Sequence, residues 1–201
     1  RVQDASMGYF ITPMISIILG YFFLKEKISK LKMYAVILMI LAIVILFIYM
    51  DGIPYLVISI GTTWAIYGLL RKQINISPST GLLYESFFIS IISIPYLIYI
   101  YKLGESSFLT IDNKTTIFLV LTGAVTIFPL FFFNLGLGFI QLGLAGVLFY
   151  LAPSFHFLTS AFILGEDIQI TKLISFIIIW MGIILYIYDT MKNITNESNT
   201  Q

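Results

Sequence analysis

Predominantly apolar runs of 16 to 24 residues recur along this chain, separated by short polar clusters. A membrane-crossing helix needs about 20 such residues. Seven segments meet that description: A (Met7–Leu24), B (Met33–Met50), C (Pro54–Leu70), D (Thr80–Tyr101), E (Thr116–Phe139), F (Leu142–Leu164) and G (Leu173–Tyr188). The links include KEKISKLK, DGIP, RKQINISPS and GEDIQITK, and the longest is KLGESSFLTIDNKT after D. The tail MKNITNESNTQ is polar, and a frayed end is expected there. Barrel strands would alternate apolar and polar residues. YAVILMILAIVILFIY and IIIWMGIILYIY do not alternate, so the expected fold class is an all-α integral membrane protein with seven transmembrane helices.

Composition strengthens that reading. Of 201 residues, 59% are hydrophobic and 10% charged, with a mean hydropathy of +1.00, too little polar surface for a water-soluble domain. A net charge of +1 gives no basic footprint for nucleic acid. Without cysteine there are no disulfides or thiolate metal sites, and a single histidine makes a metal centre improbable. No cofactor is expected.

Charge sets orientation. With the A–B link cytoplasmic, one side collects Lys25, Lys27, Lys30, Lys32, Arg71, Lys72 and Lys192, against Arg1, Lys102, Lys114 and Lys172 on the other. Seven against four favours that arrangement and a cytoplasmic C-terminus. The opening pattern also repeats at an offset of 140 residues. Pro13 falls on Pro153, Phe22 on Phe162, Leu24 on Leu164, Glu26 on Glu166, Ile28 on Ile168 and Lys32 on Lys172. The aromatic pair Tyr9-Phe10 falls on Phe149-Tyr150. A and F lie five helices apart, so the copies should cross the membrane in opposite directions. The A–B link carries +3 and the F–G link −1, the expected reversal. Residues 1–50 then hold the last two helices of a first repeat, 54–190 a complete five-helix second repeat, and 191–201 a polar cytoplasmic tail. The intact plan is ten helices in an inverted 5+5 repeat, which places three more ahead of Arg1.

The stretches DASMGYFITP, WAIYGLLRK, GLLYES, YLAPSFHFLTSAFILGE and FIIIWMGIILYIYD resemble the RarD branch of the EamA family, within the drug/metabolite transporter superfamily. The resemblance runs from about Asp4 to Asp189. It implies ten helices in two inverted halves with both termini cytoplasmic.

Several residues are candidates for a substrate pathway. Pro13 and Pro153 each remove a helix hydrogen bond and free a carbonyl, at Tyr9 and Phe149, that can face a cavity or mark an ordinary kink. Glu85 is the one carboxylate placed inside a span; it suits proton coupling, or a structural pair with Arg71 or Lys72. His156 lies one turn after Pro153 and reads as a buried packing residue or a proton relay. Trp64 and Tyr67 share a face of C and, with Tyr9, Phe10, Phe149 and Tyr150, can line an aromatic cavity or simply pack. Asn134 and Gln141 are further polar candidates, while Glu26 and Glu166, at helix ends, read as caps. Gly136-Leu-Gly138 and Gly143-Leu-Ala-Gly146 lack the features of phosphate loops and suit close helix approach.

No nucleophile–base pair or metal cluster supports an enzyme. The expected function is a multi-pass carrier of a bacterial-type inner or plasma membrane, moving a small organic solute by alternating access with a proton as the candidate coupling ion. Lipid and a small-molecule substrate are the expected partners. The alternative is a membrane scaffold, or a truncated remnant, that transports nothing.

Overall fold

In the computed structural model, residues 8–48, 55–74, 76–163 and 170–198 are described. They form eight helices: α1 (Gly8–Leu24), α2 (Lys30–Ile48), α3 (Tyr55–Gln73), α4 (Pro78–Lys102), α5 (Asn113–Leu137), α6 (Leu142–Leu148), α7 (Leu151–Phe162) and α8 (Ile170–Ser198). Among the described residues there is no strand. Segments A to E become α1 to α5, F is split between α6 and α7, and G becomes α8. The polar tail is not frayed where it is described, because α8 continues through residues 191–198.

Among the described residues, five spans are long and apolar enough to cross a membrane: Lys30–Ile48, Pro78–Lys102, Asn113–Leu137, Leu142–Thr159 and Ile170–Asn193. That is fewer than the seven expected. α1 is apolar but only 17 residues long, and α3 carries Ser59, Gly61, Thr62 and Thr63 through its middle. The molecule is a multi-pass, all-helical membrane protein.

The chain divides into two compact units. One runs to Gln73 and resumes at Ile140; the other is Ile74–Phe139. These units differ from the sequence repeats, since the first gathers segments A, B, C, F and G. In the second unit, α4 starts at Ser77, whose hydroxyl accepts from the Thr80 N–H (3.2 Å), with Pro78 in the first turn where no N–H is needed. α5 starts at Asp112, whose carboxylate accepts from the Thr115 N–H; that bond holds the carboxyl below its ordinary range. The Ile-, Phe- and Leu-rich surfaces of both helices, Ile92 and Val120 among them, are exposed and suited to lipid.

The core of the first unit is the α2–α8 seam. Lipid is as apolar as a leucine side chain, so membrane helices associate through close packing and polar contacts. α2 buries Ala35, Met39, Ala42 and Leu46, the 4-3-4 spacing of a helix–helix seam. Their counterparts 140 residues on, Ser175, Ile179, Gly182 and Tyr186, are buried in α8. Contacts run antiparallel: Ser29 reaches Asp189, Lys32 lies over Tyr186, and Ala35 and Met39 meet Gly182. Met39 and its repeat partner Ile179 are both fully buried. Gly182 is essential to the approach, for a Cβ there would fall 2.9 Å from Met39 Cγ and 3.0 Å from the Ala35 carbonyl oxygen.

α1 packs on α6 by the same means, for a Cβ on Gly146 would stand 2.6 Å from Ser16 Cβ and 3.1 Å from Pro13 Cα. Between α3 and α6, a Cβ on Gly68 would stand 3.2 Å from Leu142. The two repeated prolines diverge. Pro13 sits inside continuous α1, whereas Pro153 is the third residue of α7, just past a break at Phe149–Tyr150. The break is bridged by short-range bonds: Phe149 N to Gly146 O (2.9 Å), Tyr150 N to Val147 O (3.1 Å) and Ala152 N to Phe149 O (3.2 Å). A proline in a first turn loses nothing, since those N–H groups have no intrahelical partner. The carbonyl expected to be freed at Phe149 is thereby occupied.

Gly182→Ala should destabilise the protein in detergent by about 1–3 kcal/mol through overpacking. Gly123→Ala on α5, where a Cβ meets nothing within 4 Å, should be neutral or stabilising. Equal melting shifts for the two variants would refute the seam.

Candidate functional site

Two groups of side chains lie within the first unit. The first surrounds the α6–α7 break. Tyr150 is fully buried, and its hydroxyl donates to the Phe10 carbonyl (3.1 Å) with the two rings 6.1 Å apart. These two residues are also repeat partners. Ser154 accepts from Trp180 Nε1 (2.8 Å) and donates to the Tyr150 carbonyl (2.7 Å), tying α7 to α8. Phe157 stacks on Phe176 at 4.3 Å, and Phe10 meets the same ring edge-on at 5.5 Å. On α3, Trp64 stacks with Tyr67 (5.4 Å) and meets Phe149 edge-on (5.8 Å). The break is thus sheathed in aromatic rings contributed by four helices.

The second group closes one end of the α2–α8 seam. α1 ends at Leu24, Lys25 takes a left-handed conformation (φ 55), and the Glu26 N–H returns to the Gly20 carbonyl (3.0 Å). That reversal aims the Glu26 carboxylate at the start of α6, where it accepts from the backbone N–H of Leu142 (2.5 Å) and Gly143 (3.0 Å). Gln141, at the cap position of α6, makes no capping bond with its own side chain; its Oε1 accepts from Lys32 Nζ instead (2.8 Å). Lys32 is buried, with its ammonium 5.0 Å from the centre of the Tyr186 ring. Ser29 caps α2 by accepting from the Lys32 N–H (3.1 Å) and donates to Asp189 (2.7 Å), which also accepts from Asn193 (3.0 Å). One ammonium and two carboxylates are therefore held by hydrogen bonds, which is what burial of charge demands.

The sequence candidates distribute as follows. Pro13, Trp64, Tyr67, Tyr150 and Pro153 gather around α1, α3 and the break. Tyr9 belongs to α1, but its side chain lies outside the described residues. Glu85, half-buried on α4, and Asn134, buried on α5, belong to the second unit. His156 is exposed on α7, which corrects the expectation of a buried histidine. Lys72 donates to the Ile140 carbonyl. Glu26 is a cap as expected, although the helix it caps is α6 and its own chain neighbours are α1 and α2. Glu166 lies outside the described residues. Lys32, Ser29, Tyr186 and Asp189 were not singled out in the sequence. The recurrence of Lys32 at Lys172 was the available signal.

Buried charge, a tightened apolar helix and close-packed small residues thus converge within the first unit. The profile of the EamA-like transporter family matches residues 1–48 and 52–188. The chain belongs to the EamA-like transporter family. An uncharacterized transporter of Vibrio cholerae is 32% identical over 192 residues, covering 96% of this chain and 64% of the relative. The uncharacterized transporter YojE of Bacillus subtilis is 31% identical, covering 94% and 63%. Protein RarD of Escherichia coli K12 is 29% identical, covering 95% and 64%. This EamA-family chain therefore spans somewhat less than two thirds of the length of those relatives.

Tyr150→Phe removes the bond to the Phe10 carbonyl while keeping the ring. The expected loss of stability is about 1 kcal/mol, read from unfolding in detergent micelles. A variant as stable as the parent would show that the bond contributes nothing.

Proposed function

We propose that this chain works as a RarD-like carrier of a bacterial-type inner or plasma membrane, moving a small organic solute by alternating access. The C-terminus is cytoplasmic in this reading, and the family plan is an inverted 5+5 repeat of ten helices. The observation that carries it is the α2–α8 seam, in which repeat-equivalent residues are buried on both helices and the contacts run antiparallel, from Ser29–Asp189 through Lys32–Tyr186 to Met39–Gly182. Two copies of one module packed head to tail on each other are what an inverted-repeat transporter requires. Segment F tightens to i→i−3 bonding at Phe149–Tyr150, a mid-helix irregularity of the kind that often marks functional positions. Its aromatic surroundings, with Pro13, Tyr150 and Pro153 at the break and Trp64 and Tyr67 beside Phe149, suit an apolar or cationic organic solute. By residue type, Glu85 is our candidate for proton coupling, and Asn134 and His156 are further polar candidates.

Orientation is tested with Ile28→Cys and Ile168→Cys, introduced singly into a chain that has no cysteine. A membrane-impermeant thiol reagent should reach the first from the cytoplasm and the second from outside. Access to both from one side would overturn the inverted repeat.

Transport is tested with the ten-helix protein in vesicles, screened with a panel of organic solutes. Uptake or efflux should depend on an imposed proton gradient and fall at least several-fold in Glu85→Gln. Equal movement with and without the gradient would remove proton coupling. No movement of any solute would favour a non-transporting scaffold.

A further inference from the structure

Lys32 is the third residue of α2 and is only 3% exposed, although its side chain ends in a charge. A buried ammonium is stable only where partners replace its water. Those partners come from three separate parts of the chain. Gln141, just ahead of α6, accepts from Nζ through Oε1 (2.8 Å). The Tyr186 ring on α8 has its centre 5.0 Å from the same nitrogen, within cation–π range. Two carboxylates add their field, Asp189 on α8 and Glu26 in the α1–α2 link. Each carboxylate is aimed by neutral donors. Asp189 accepts from Ser29 Oγ and Asn193 Nδ2, and Glu26 accepts from the N–H groups of Leu142 and Gly143. Both anions are therefore held in place by groups other than the ammonium they face.

We propose that this cluster is a binding site for a primary ammonium ion, which Lys32 fills from within as a tethered cation. The chemistry of the partners selects that class. An amide oxygen takes an N–H donor, an aromatic face takes positive charge, and the two carboxylates require a cation nearby. A quaternary ammonium has no N–H to offer Gln141, and a neutral alcohol leaves both anions uncompensated. Because α2, α8 and the residue before α6 all meet on one nitrogen, Lys32 is a positioning residue that fastens the start of segment F to the α2–α8 seam. Truncation of Lys32 to alanine removes Cγ, Cδ, Cε and Nζ, which are the heavy atoms of propylammonium. The carboxylates keep their other donors, so the emptied site should accept that ion from solution. This assignment goes beyond the transport reading and holds whether or not the chain carries a solute.

The test is thermal unfolding of the full chain in detergent micelles. Lys32→Ala should melt below the parent, because two buried anions lose their counter-charge. Propylammonium chloride should restore about half or more of that shift by mass action. Choline chloride at the same ionic strength and propan-1-ol at the same concentration should restore nothing. The parent, whose site is already filled, should gain nothing from propylammonium. Lys32→Met keeps an apolar stem without the charge; it should also melt below the parent and show no response to propylammonium. That variant carries the test if Lys32→Ala does not reach the membrane. Lys32→Met as stable as the parent would overturn the site. So would Lys32→Ala left unrestored by propylammonium, or restored equally by propan-1-ol.

Discussion

Gly182 lies against the Ala35 carbonyl and the Met39 side chain, and the first unit depends on that approach. Apolar side chains gain little by leaving lipid for each other, so two helices stay together only where their backbones come close enough for many weak contacts. The residues that permit this on α2 and α8 are small or slender at matched positions: Ala35 and Ser175, Ala42 and Gly182. The antiparallel register they fix also decides what meets beyond the seam. Following the same register toward the start of α2 brings Lys32 to Tyr186 and Ser29 to Asp189. The buried charges are thus placed by the packing of glycine and alanine within about two turns of them.

Repetition of a sequence motif does not oblige the copies to fold alike. Pro13 and Pro153 carry the same neighbours in the sequence, yet one lies within an unbroken helix and the other follows an interruption. The difference traces to what surrounds each. Phe149 and Tyr150 are drawn in different directions, toward Trp64 on α3 and toward the Phe10 carbonyl on α1. Those contacts favour a turn at that point, and Pro153 then fits the first turn of a new helix.

Much of the secondary structure was legible because long apolar runs in this chain have little choice but to be helices. Boundaries were off where polar residues extend a helix past its greasy part, as at Lys30–Lys32 and after Tyr188. That error hid Lys32, which hydropathy assigns to a loop although it is the third residue of α2. The exposed side of His156 was illegible for a different reason. α7 carries both a buried polar residue, Ser154, and an exposed one, His156, so polarity alone does not tell inside from outside. The partnership of Glu26 with Leu142 and Gly143 spans more than half the chain, and nothing in local pattern reports it. Its recurrence at Glu166 hinted at a role without naming the partner.

α8 is 29 residues long, which as a regular helix is roughly 43 Å. The hydrocarbon layer is about 30 Å thick. A rod of that length cannot be submerged, and its sequence beyond Asp189 (Thr190, Lys192, Asn193, then further polar residues) suits an aqueous setting. Its final turns therefore extend past the hydrocarbon layer, into the headgroup region or water. A reporter or affinity handle at the end of α8 would sit outside the apolar layer, with the buried seam undisturbed.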